Sequence, residues 1–530
     1  ARGAMGVPSP PSSPRRAGAA PPSTSSTSIG LVLAGVACLA AVAVGSFGLT
    51  TEATLGIDLG TTFSVAATCE RGIVTVVRVP GGSGTRDAET MPSVVYFPER
   101  VAEAAVVGAD AAMRRATHPR HVVYDAKRII GRRVDDPAVA EETKHLPFAV
   151  VDNGDGFAAI EMSTNEHEPK SRHTNHTNTR LIAPEEVGAM ILARLKRVAE
   201  RGDGGAVSVW KRRLGFRFRT VTVSVPVNFS KEQKAATLRA ARSAGFTVAR
   251  LLEEPVAAAV AHGLLEKNEK DARKEKTDEN DGGKLVLVYD MGGGTLDVAV
   301  LRSEKSSGTF LVMGSAGDER LGGEDFDRAL LDRWLKARLE TDPTTRSEPI
   351  FFPNDAGLHE RALREMERAK RFLFDQSSAV RVSVTFVREP LGNNAVGATT
   401  KKRLVVADVK TLLSEDESDA DSYDSDESDE QKSLAKKKTT LTLSLANFES
   451  ACSALLDKAT APVYAALRNA GGVGVAEITD VVMVGGSSRL KSVQTRLAAV
   501  FGETRVKRGG ENGPDPETAV AVGAARSYAC

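Results

Sequence analysis

The sequence predicts an α/β protein built from two similar lobes that face each other across a cleft, and two stretches carry that expectation. In Lys284-Leu-Val-Leu-Val-Tyr-Asp-Met-Gly-Gly-Gly-Thr-Leu-Asp-Val-Ala-Val-Leu301, residues 285–289 form a short apolar run with the character of a buried strand. The run ends in Asp290, passes through Gly292, Gly293, Gly294, Thr295 and Asp297, and resumes as a second apolar run over 298–301. In Leu55-Gly-Ile-Asp-Leu-Gly-Thr-Thr-Phe-Ser-Val-Ala-Ala67 the same order recurs, with Asp58, Gly60, Thr61 and Thr62 between apolar runs. A hairpin turn without side chains brings its backbone N–H groups close to an anion. An aspartate at the strand end can hold a hydrated divalent cation beside that anion. Either stretch alone reads equally well as an ordinary hairpin. Two of them, one in each half of the chain, indicate a duplicated domain with an anion-binding cleft between the copies. No Gly-x-x-x-x-Gly-Lys-Ser/Thr loop occurs.

A length of 530 residues with 41% hydrophobic residues is enough for a large core divided into several subdomains. The formal net charge of +1 makes no case for nucleic acid. Cys38, Cys69, Cys452 and Cys530 are far apart, form no metal-spaced pair and are expected to be isolated thiols.

Residues 1–28 are rich in Ser, Pro, Ala and Gly and read as a disordered leader. Residues 29–49 carry no charge and are long enough for one membrane-spanning helix of ~20 residues. Their Ala and Gly content makes insertion weak, so a cleaved signal-peptide core fits as well as a membrane anchor. Arg15 and Arg16 lie upstream and no basic residue follows until Arg71, which places the body on the translocated side. The expected location is the secretory pathway, most simply the endoplasmic reticulum lumen, with a bipartite organelle leader as the alternative.

Residues 54–79 read as a three-stranded meander carrying the first hairpin, 91–97 as one strand and 108–115 as a helix. Residues 163–180 form a polar insertion with His167, His173 and His176 and the glycosylation acceptor Asn175-His-Thr. Nothing fixes the imidazoles, so a solvated insertion outweighs a metal site. Residues 183–201 and 231–244 have helical spacing. The strand of 221–229 between them runs into a loop where Asn228 heads a second acceptor. Residues 266–283 form a charged linker. A long helical region begins at Asp325. Residues 414–438 combine an acidic, serine-studded run with Lys436-Lys-Lys438, and read as a disordered loop interrupting a helical subdomain. The helical pattern resumes over 441–467.

Several signatures in this order resemble the seventy-kilodalton heat-shock chaperone family over about residues 54–526. Besides the two hairpins they are Tyr124-Asp-Ala-Lys-Arg-Ile-Ile-Gly-Arg132, Leu251-Leu-Glu-Glu-Pro-Val-Ala-Ala-Ala-Val-Ala-His-Gly263, Gly317-Asp-Glu-Arg-Leu-Gly-Gly-Glu-Asp-Phe-Asp327, Glu365-Met-Glu-Arg-Ala-Lys-Arg371 and Val481-Val-Met-Val-Gly-Gly-Ser-Ser-Arg489. The resemblance implies an actin-like ATPase fold: duplicated ribonuclease-H-like lobes with four subdomains around a nucleotide cleft. Lobe I would span 53–265 and lobe II 284–510, and a closing helix within 511–530 would return to lobe I.

ATP or ADP with Mg²⁺ follow as implied ligands, with K⁺ near the phosphates. By the same resemblance, backbone N–H groups of Gly60, Thr61, Thr62, Gly292, Gly293 and Gly294 hold the phosphates. Asp58, Asp290 and Asp297 hold the metal mostly through water, with Glu254 close to its hydration shell. Thr295 donates to the terminal phosphate, and Lys127 positions the attacking water, although by itself a lysine there reads as a solvated helix residue. Gly322, Gly323, Glu367, Lys370, Arg371, Gly485, Gly486, Ser487 and Arg489 fall on nucleotide-binding positions. Phe374 departs from the pattern, standing where the family has a serine near the adenine ring, and is expected to stack on the base or narrow its pocket.

J-domain co-chaperones, nucleotide-exchange factors and other chaperones are the implied partners. No sequence is left for the family's peptide-binding domain, so the chain resembles the family's truncated microsomal members. Ala1 in place of Met leaves a clipped chain as the other account. Two function classes follow, an ATP hydrolase and a nucleotide-gated interaction module with negligible turnover. A sugar or glycerol kinase is a third, disfavoured because the signatures are those of chaperones.

Overall fold

Apolar strands that end at an aspartate and a glycine turn form the centres of two sheets of the same topology. The computed structural model describes residues 54–529 apart from 71, 82–86, 101, 165–178, 202–216, 265–282, 305–308, 342–349, 352, 354–355, 376–377, 391–401, 413–435 and 511–512. The expectations for the leader, the uncharged segment 29–49, the three insertion histidines, the charged linker up to residue 282 and the acidic run lie outside the described residues.

Lobe I contains β1 (Thr54–Leu59), β2 (Phe63–Glu70), β3 (Ile73–Val76), α1 (Ala126–Ile129), α2 (Pro184–Arg201), β4 (Thr220–Val225), α3 (Lys231–Ser243), β5 (Val248–Glu253) and α4 (Glu254–Ala261). Its main sheet runs β3-β2-β1-β4-β5, antiparallel across β1, β2 and β3 and parallel across β1, β4 and β5. Lobe II contains β6 (Leu285–Met291), β7 (Leu296–Glu304), β8 (Thr309–Asp318), α5 (Gly323–Ala329), α6 (Ala356–Asp375), β9 (Val380–Pro390), β10 (Lys402–Leu412), β11 (Lys436–Leu443), α7 (Leu445–Lys458), α8 (Ala461–Asn469), β12 (Asp480–Val484), α9 (Lys491–Phe501) and β13 (Val506–Lys507), and the closing helix α10 (Ala519–Ala529) follows it. Its main sheet runs β8-β7-β6-β12-β13 with the same directions. The repeat is therefore one of topology as well as of motif, which is the arrangement of the actin-like fold.

Strands covered on both faces need continuous apolar runs, and all six residues of β4 are buried. On one face of sheet I, Ile191, Leu192 and Leu195 of α2 pack with Leu55, Ile57, Val221 and Val223. On one face of sheet II, α5, α6, α7 and α9 bury Phe326, Met366, Phe448 and Leu497 against Leu287 and Tyr289. The remaining faces share one core. Val256 to Ala261 of α4 and Ala519 to Ala525 of α10 lie between Val65 and Ala67 of lobe I and Val286, Val288, Val482 and Val484 of lobe II.

These two helices are rich in Ala and Gly because the layer is thin. A Cβ on Gly56 would meet the Ala521 carbonyl oxygen at 2.6 Å, and one on Gly523 would overlap the Ala257 carbonyl oxygen. The closing helix therefore packs directly onto β1 and α4.

Several expectations are corrected. Residues 91–97 are not one strand: Met91–Pro92 pairs with β2 and Val95–Tyr96 belongs to a separate three-stranded sheet. The break is at Ser93, whose N–H donates to Thr62 O and whose hydroxyl donates to Gly60 O, both 2.8 Å. Only Ala109–Ala112 of the 108–115 stretch is α-helical, continuing as a 3-10 turn to Ala116. The subdomain around the acidic run is not all helical. It holds a four-stranded sheet ordered Ile350–Phe351, β10, β9, β11. Lys436 to Lys438, placed by sequence in the loop 414–438, pair with Thr385 to Val387 as the start of β11, and residues 441–443 are strand rather than helix. Val380, Val382, Val384 and Phe386 of β9 and Leu441 and Leu443 of β11 are buried in the lobe II core, an alternation masked in the sequence by the charged run between the strands. Cys69 is disulfide-bonded rather than an isolated thiol, whereas Cys452 is a free, buried thiol.

Replacing Gly523 with Val forces a branched side chain into the α4–α10 contact. Thermal unfolding of that variant should show a loss of ~1–3 kcal/mol, the scale of overpacking. Melting unchanged from wild type would contradict so close a crossing.

Candidate active site

The site is assembled where the two equivalent hairpin turns meet. A Cβ on Gly293 would come within 2.5 Å of Thr62 Oγ1, so the turn of lobe II lies directly against that of lobe I. Around it, Gly323 N–H donates to Gly292 O at 3.0 Å and Glu324 N–H to Gly293 O at 2.8 Å. Ser487 Oγ also donates to Gly292 O, at 2.8 Å. A Cβ on Gly322 would fall 2.5 Å from the Gly293 carbonyl. The glycines at 292–294 and 322–323 thus form one layer of backbone with no side chains in it. Gly60 has its carbonyl tied to Ser93, and Thr61 and Thr62 complete the turn opposite.

Behind the turns sits a set of recessed charges. Lys127, from α1, donates to Glu254 Oε1 at 2.7 Å, and both side chains are about nine-tenths buried (12% and 10% exposed). Glu254 is the first residue of α4, next to Pro255, which suits a helix start because its missing N–H is not needed there. Asp58 accepts from Ser224 Oγ of β4 at 2.6 Å. Asp290 and Asp297 face each other across the β6–β7 ladder. Pro226, Val227, Glu254 and Pro255 from lobe I and Val288, Asp290, Asp297 and Val298 from lobe II line a small, mostly apolar pocket beside these charges.

Electrostatics follow from four carboxyl groups facing one lysine. Burial and then the Glu254 charge push Asp58 up to about 6, against the opposing pull of Lys127 and the Ser224 hydroxyl. Burial, Glu254 and Asp58 raise Asp290 well above the usual carboxylate range. Burial and Glu254 raise Asp297 to about 7. Burial disfavours the charged form of Lys127, but the Glu254 and Asp58 charges outweigh it and the pKa is raised. A cluster with more recessed carboxylates than cations, beside side-chain-free backbone, has the donor chemistry for a hydrated divalent cation next to an anion. Asp58, Asp290 and Asp297 are the residues that would hold the metal.

The remaining predicted residues form a second cluster along the same cleft. Lys370 bridges Asp327 at 2.8 Å and donates to Gly323 O at 2.7 Å, so its charge is already paired. Arg371 lies 3.8 Å from Glu367 and 3.6 Å from Glu517. A Cβ on Gly486 would meet Glu517 Oε1 at 2.8 Å, and Arg489 pairs with Asp515. Gly485 takes a positive φ of 79° beside the Met291 carbonyl, a conformation that favours glycine.

Phe374 is 6% exposed and packs edge-on to Phe448 with ring centroids 4.9 Å apart, so it points into the lobe II core and neither stacks on a base nor narrows the cleft. Sequence reasoning missed Ser93, Ser224, Arg128, Asp515 and Glu517. Ser224 left a trace, as a polar residue inside an otherwise apolar run.

Fold and site together define a two-lobed protein with a nucleotide-type cleft. Comparison with protein families matches the chain to "Hsp70 protein" over residues 54–394 and 393–529. The chain belongs to the Hsp70 family, whose members are ATP-hydrolysing chaperones that bind ATP and ADP with Mg²⁺. It is 34% identical over 474 residues to "Heat shock 70 kDa protein BIP3" of Oryza sativa subsp. japonica, covering 89% of this chain and 55% of that protein. It is 30% identical over 475 residues to a "Ribosome-associated molecular chaperone" of Saccharomyces cerevisiae, covering 89% and 60%. It is likewise 30% identical over 471 residues to "Heat shock 70 kDa protein, mitochondrial" of Pisum sativum, covering 89% and 54%. The chain thus spans a little over half the length of these relatives.

The raised carboxyls predict a pH dependence. Each binds its proton more tightly in the fold than in the unfolded chain, so its stabilising contribution is complete below the unfolded value of 3.8. That contribution is lost as pH rises through about 6 for Asp58 and about 7 for Asp297. Without divalent cations, Asp290→Asn should therefore melt above wild type at pH 8, with the gap shrinking towards pH 5. A gap of opposite sign at pH 8 would contradict the uncompensated cluster.

Proposed function

We propose that this chain binds and hydrolyses ATP as the nucleotide-binding part of a chaperone acting in protein folding or quality control. The observation that carries the reading is the buried Lys127–Glu254 pair bordering the pocket that Asp290 and Asp297 also line. The phosphates of ATP sit between the backbone N–H groups of residues 60–62 and 292–294, and Thr295 donates to the terminal phosphate. Mg²⁺, when bound by Asp58, Asp290 and Asp297 largely through its waters, neutralises phosphate charge. Lys127 orients the water and balances the negative charge that develops as it adds to the terminal phosphorus. The bond to ADP breaks and the proton leaves with phosphate. The side chains act by orientation and charge, with no covalent intermediate. Glu254 keeps the Lys127 ammonium in place, which a solvated lysine would not achieve.

Glu367, Arg371, Gly485, Gly486 and Arg489 bound the nucleoside end, while Lys370 and Ser487 hold the backbone of that wall. K⁺ beside the phosphates would use the same aspartate oxygens. J-domain co-chaperones and nucleotide-exchange factors are the partners this reading requires, because lobe rotation is useful only if another protein reads it. A secretory location, with the endoplasmic reticulum lumen as its simplest form, is supported by the uncharged segment 29–49 and by the disulfide at Cys69, a bond favoured in oxidising compartments.

Lys127→Ala should leave ATP affinity near wild type and slow single-turnover hydrolysis by ~10²–10³, the scale of losing one transition-state donor. Wild-type phosphate release from ATP bound to that variant would refute the assignment.

A further inference from the structure

Arg128 follows Lys127 on α1, yet the two side chains serve different lobes. Lys127 stays in lobe I with Glu254. Arg128 crosses to lobe II, where Nη2 donates to Gly294 O at 2.9 Å and Nη1 donates to Glu319 O. Its Nε faces Glu142 of lobe I at 3.5 Å, and the side chain is 17% exposed. Gly294 is shaped to admit it, since a Cβ there would overlap Nη2.

The carbonyl that Arg128 engages belongs to the same peptide group as the Thr295 N–H. In a trans peptide the C=O and N–H point to opposite sides of a planar unit. A guanidinium holding the oxygen therefore fixes the direction of the Thr295 N–H and polarises it by hydrogen-bond cooperativity. Glu319 O lies in the segment leading to Gly322 and Gly323, so one side chain grips both backbone segments that form the side-chain-free layer. Lys127 is the neighbouring residue on the same four-residue helix, so the grip is one peptide away from it.

We propose that Arg128 is a positioning residue for hydrolysis. It sets the Gly294–Thr295 peptide against the substrate and fixes lobe II relative to Lys127, so that the hydrolytic arrangement is complete only when the lobes are closed. This rests on the hydrolase reading above and adds to it a residue that touches neither nucleotide nor metal.

The test is single-turnover hydrolysis of pre-bound ATP, with nucleotide affinity measured separately, in wild type, Arg128→Met, Arg128→Lys and Gly294→Ala. Arg128→Met should slow the bound-state step by roughly 10–100-fold, the effect of a small misplacement at a reacting centre, with ATP affinity little changed. Arg128→Lys should recover much of the rate, because an ammonium can still reach Gly294 O. Gly294→Ala should expel the guanidinium from the opposite side, and combining it with Arg128→Met should add little further loss, as expected for two changes that break one contact. The inference is overturned if Arg128→Met hydrolyses bound ATP at the wild-type rate, or if its whole defect is weaker ATP binding. Wild type that releases no phosphate would defeat the hydrolase reading and this inference with it. That result differs from one in which wild type and Arg128→Met turn over equally.

Discussion

Four carboxyl groups are kept close together, away from bulk water, with one lysine among them, and much of the rest of the fold serves to hold them there. Burial above all, and then repulsion from Glu254 and from one another, raises Asp58, Asp290 and Asp297 from their ordinary range. A fold at equilibrium does not retain such a cluster for stability, since a buried charge that lacks a partner is destabilising. It is retained when something else completes it. The side-chain-free backbone of the two turns is the kind of surface that suits an anion with a bridging cation, as in the nucleotide reading proposed above.

Holding the cluster requires two rigid platforms and a thin seam between them. The platforms are sheets of identical topology, each delivering an aspartate at the end of its first strand. The seam is the α4–α10 layer, where Ala and Gly replace larger residues so that helix backbone approaches β1 and α4 directly. A bulkier layer would separate the sheets and pull Asp58 away from Asp290. Glu254 and Lys127 belong to this economy of space: the glutamate begins the seam helix, and the lysine reaches it from a four-residue helix on the far side of the turn. Polar contacts such as Arg128 to Gly294 then tie the lobes together at the turns.

The two hairpins were legible in the sequence because an aspartate, glycines and a threonine between apolar runs rarely arise twice in one chain unless both turns do the same job. Family resemblance supplied Lys127, Glu254 and the nucleoside-end residues, which no local pattern would have singled out. What stayed hidden depended on long-range geometry. Ser93 looked like one residue in a strand but breaks it to bind Gly60. Arg128 drew no reading from the sequence, and only the folded chain shows that it crosses to Gly294 and Glu319. Phe374 was expected to stack on the base or narrow its pocket because it stands where the resembled family has a serine near the adenine ring, but it faces Phe448 rather than the cleft. The sheet of β9, β10 and β11 was obscured by the acidic run between its strands, whose composition dominated the local reading.

The central claim is that both aspartates serve one ion and one nucleotide. A crystal structure of the protein with Mg²⁺ and a non-hydrolysable ATP analogue tests it most directly. The account predicts a single magnesium with Asp58 and Asp290 both in contact with it or its waters, and the phosphates lying between residues 60–62 and 292–295. A nucleotide bound elsewhere, or a magnesium associated with only one of the two aspartates, would contradict it.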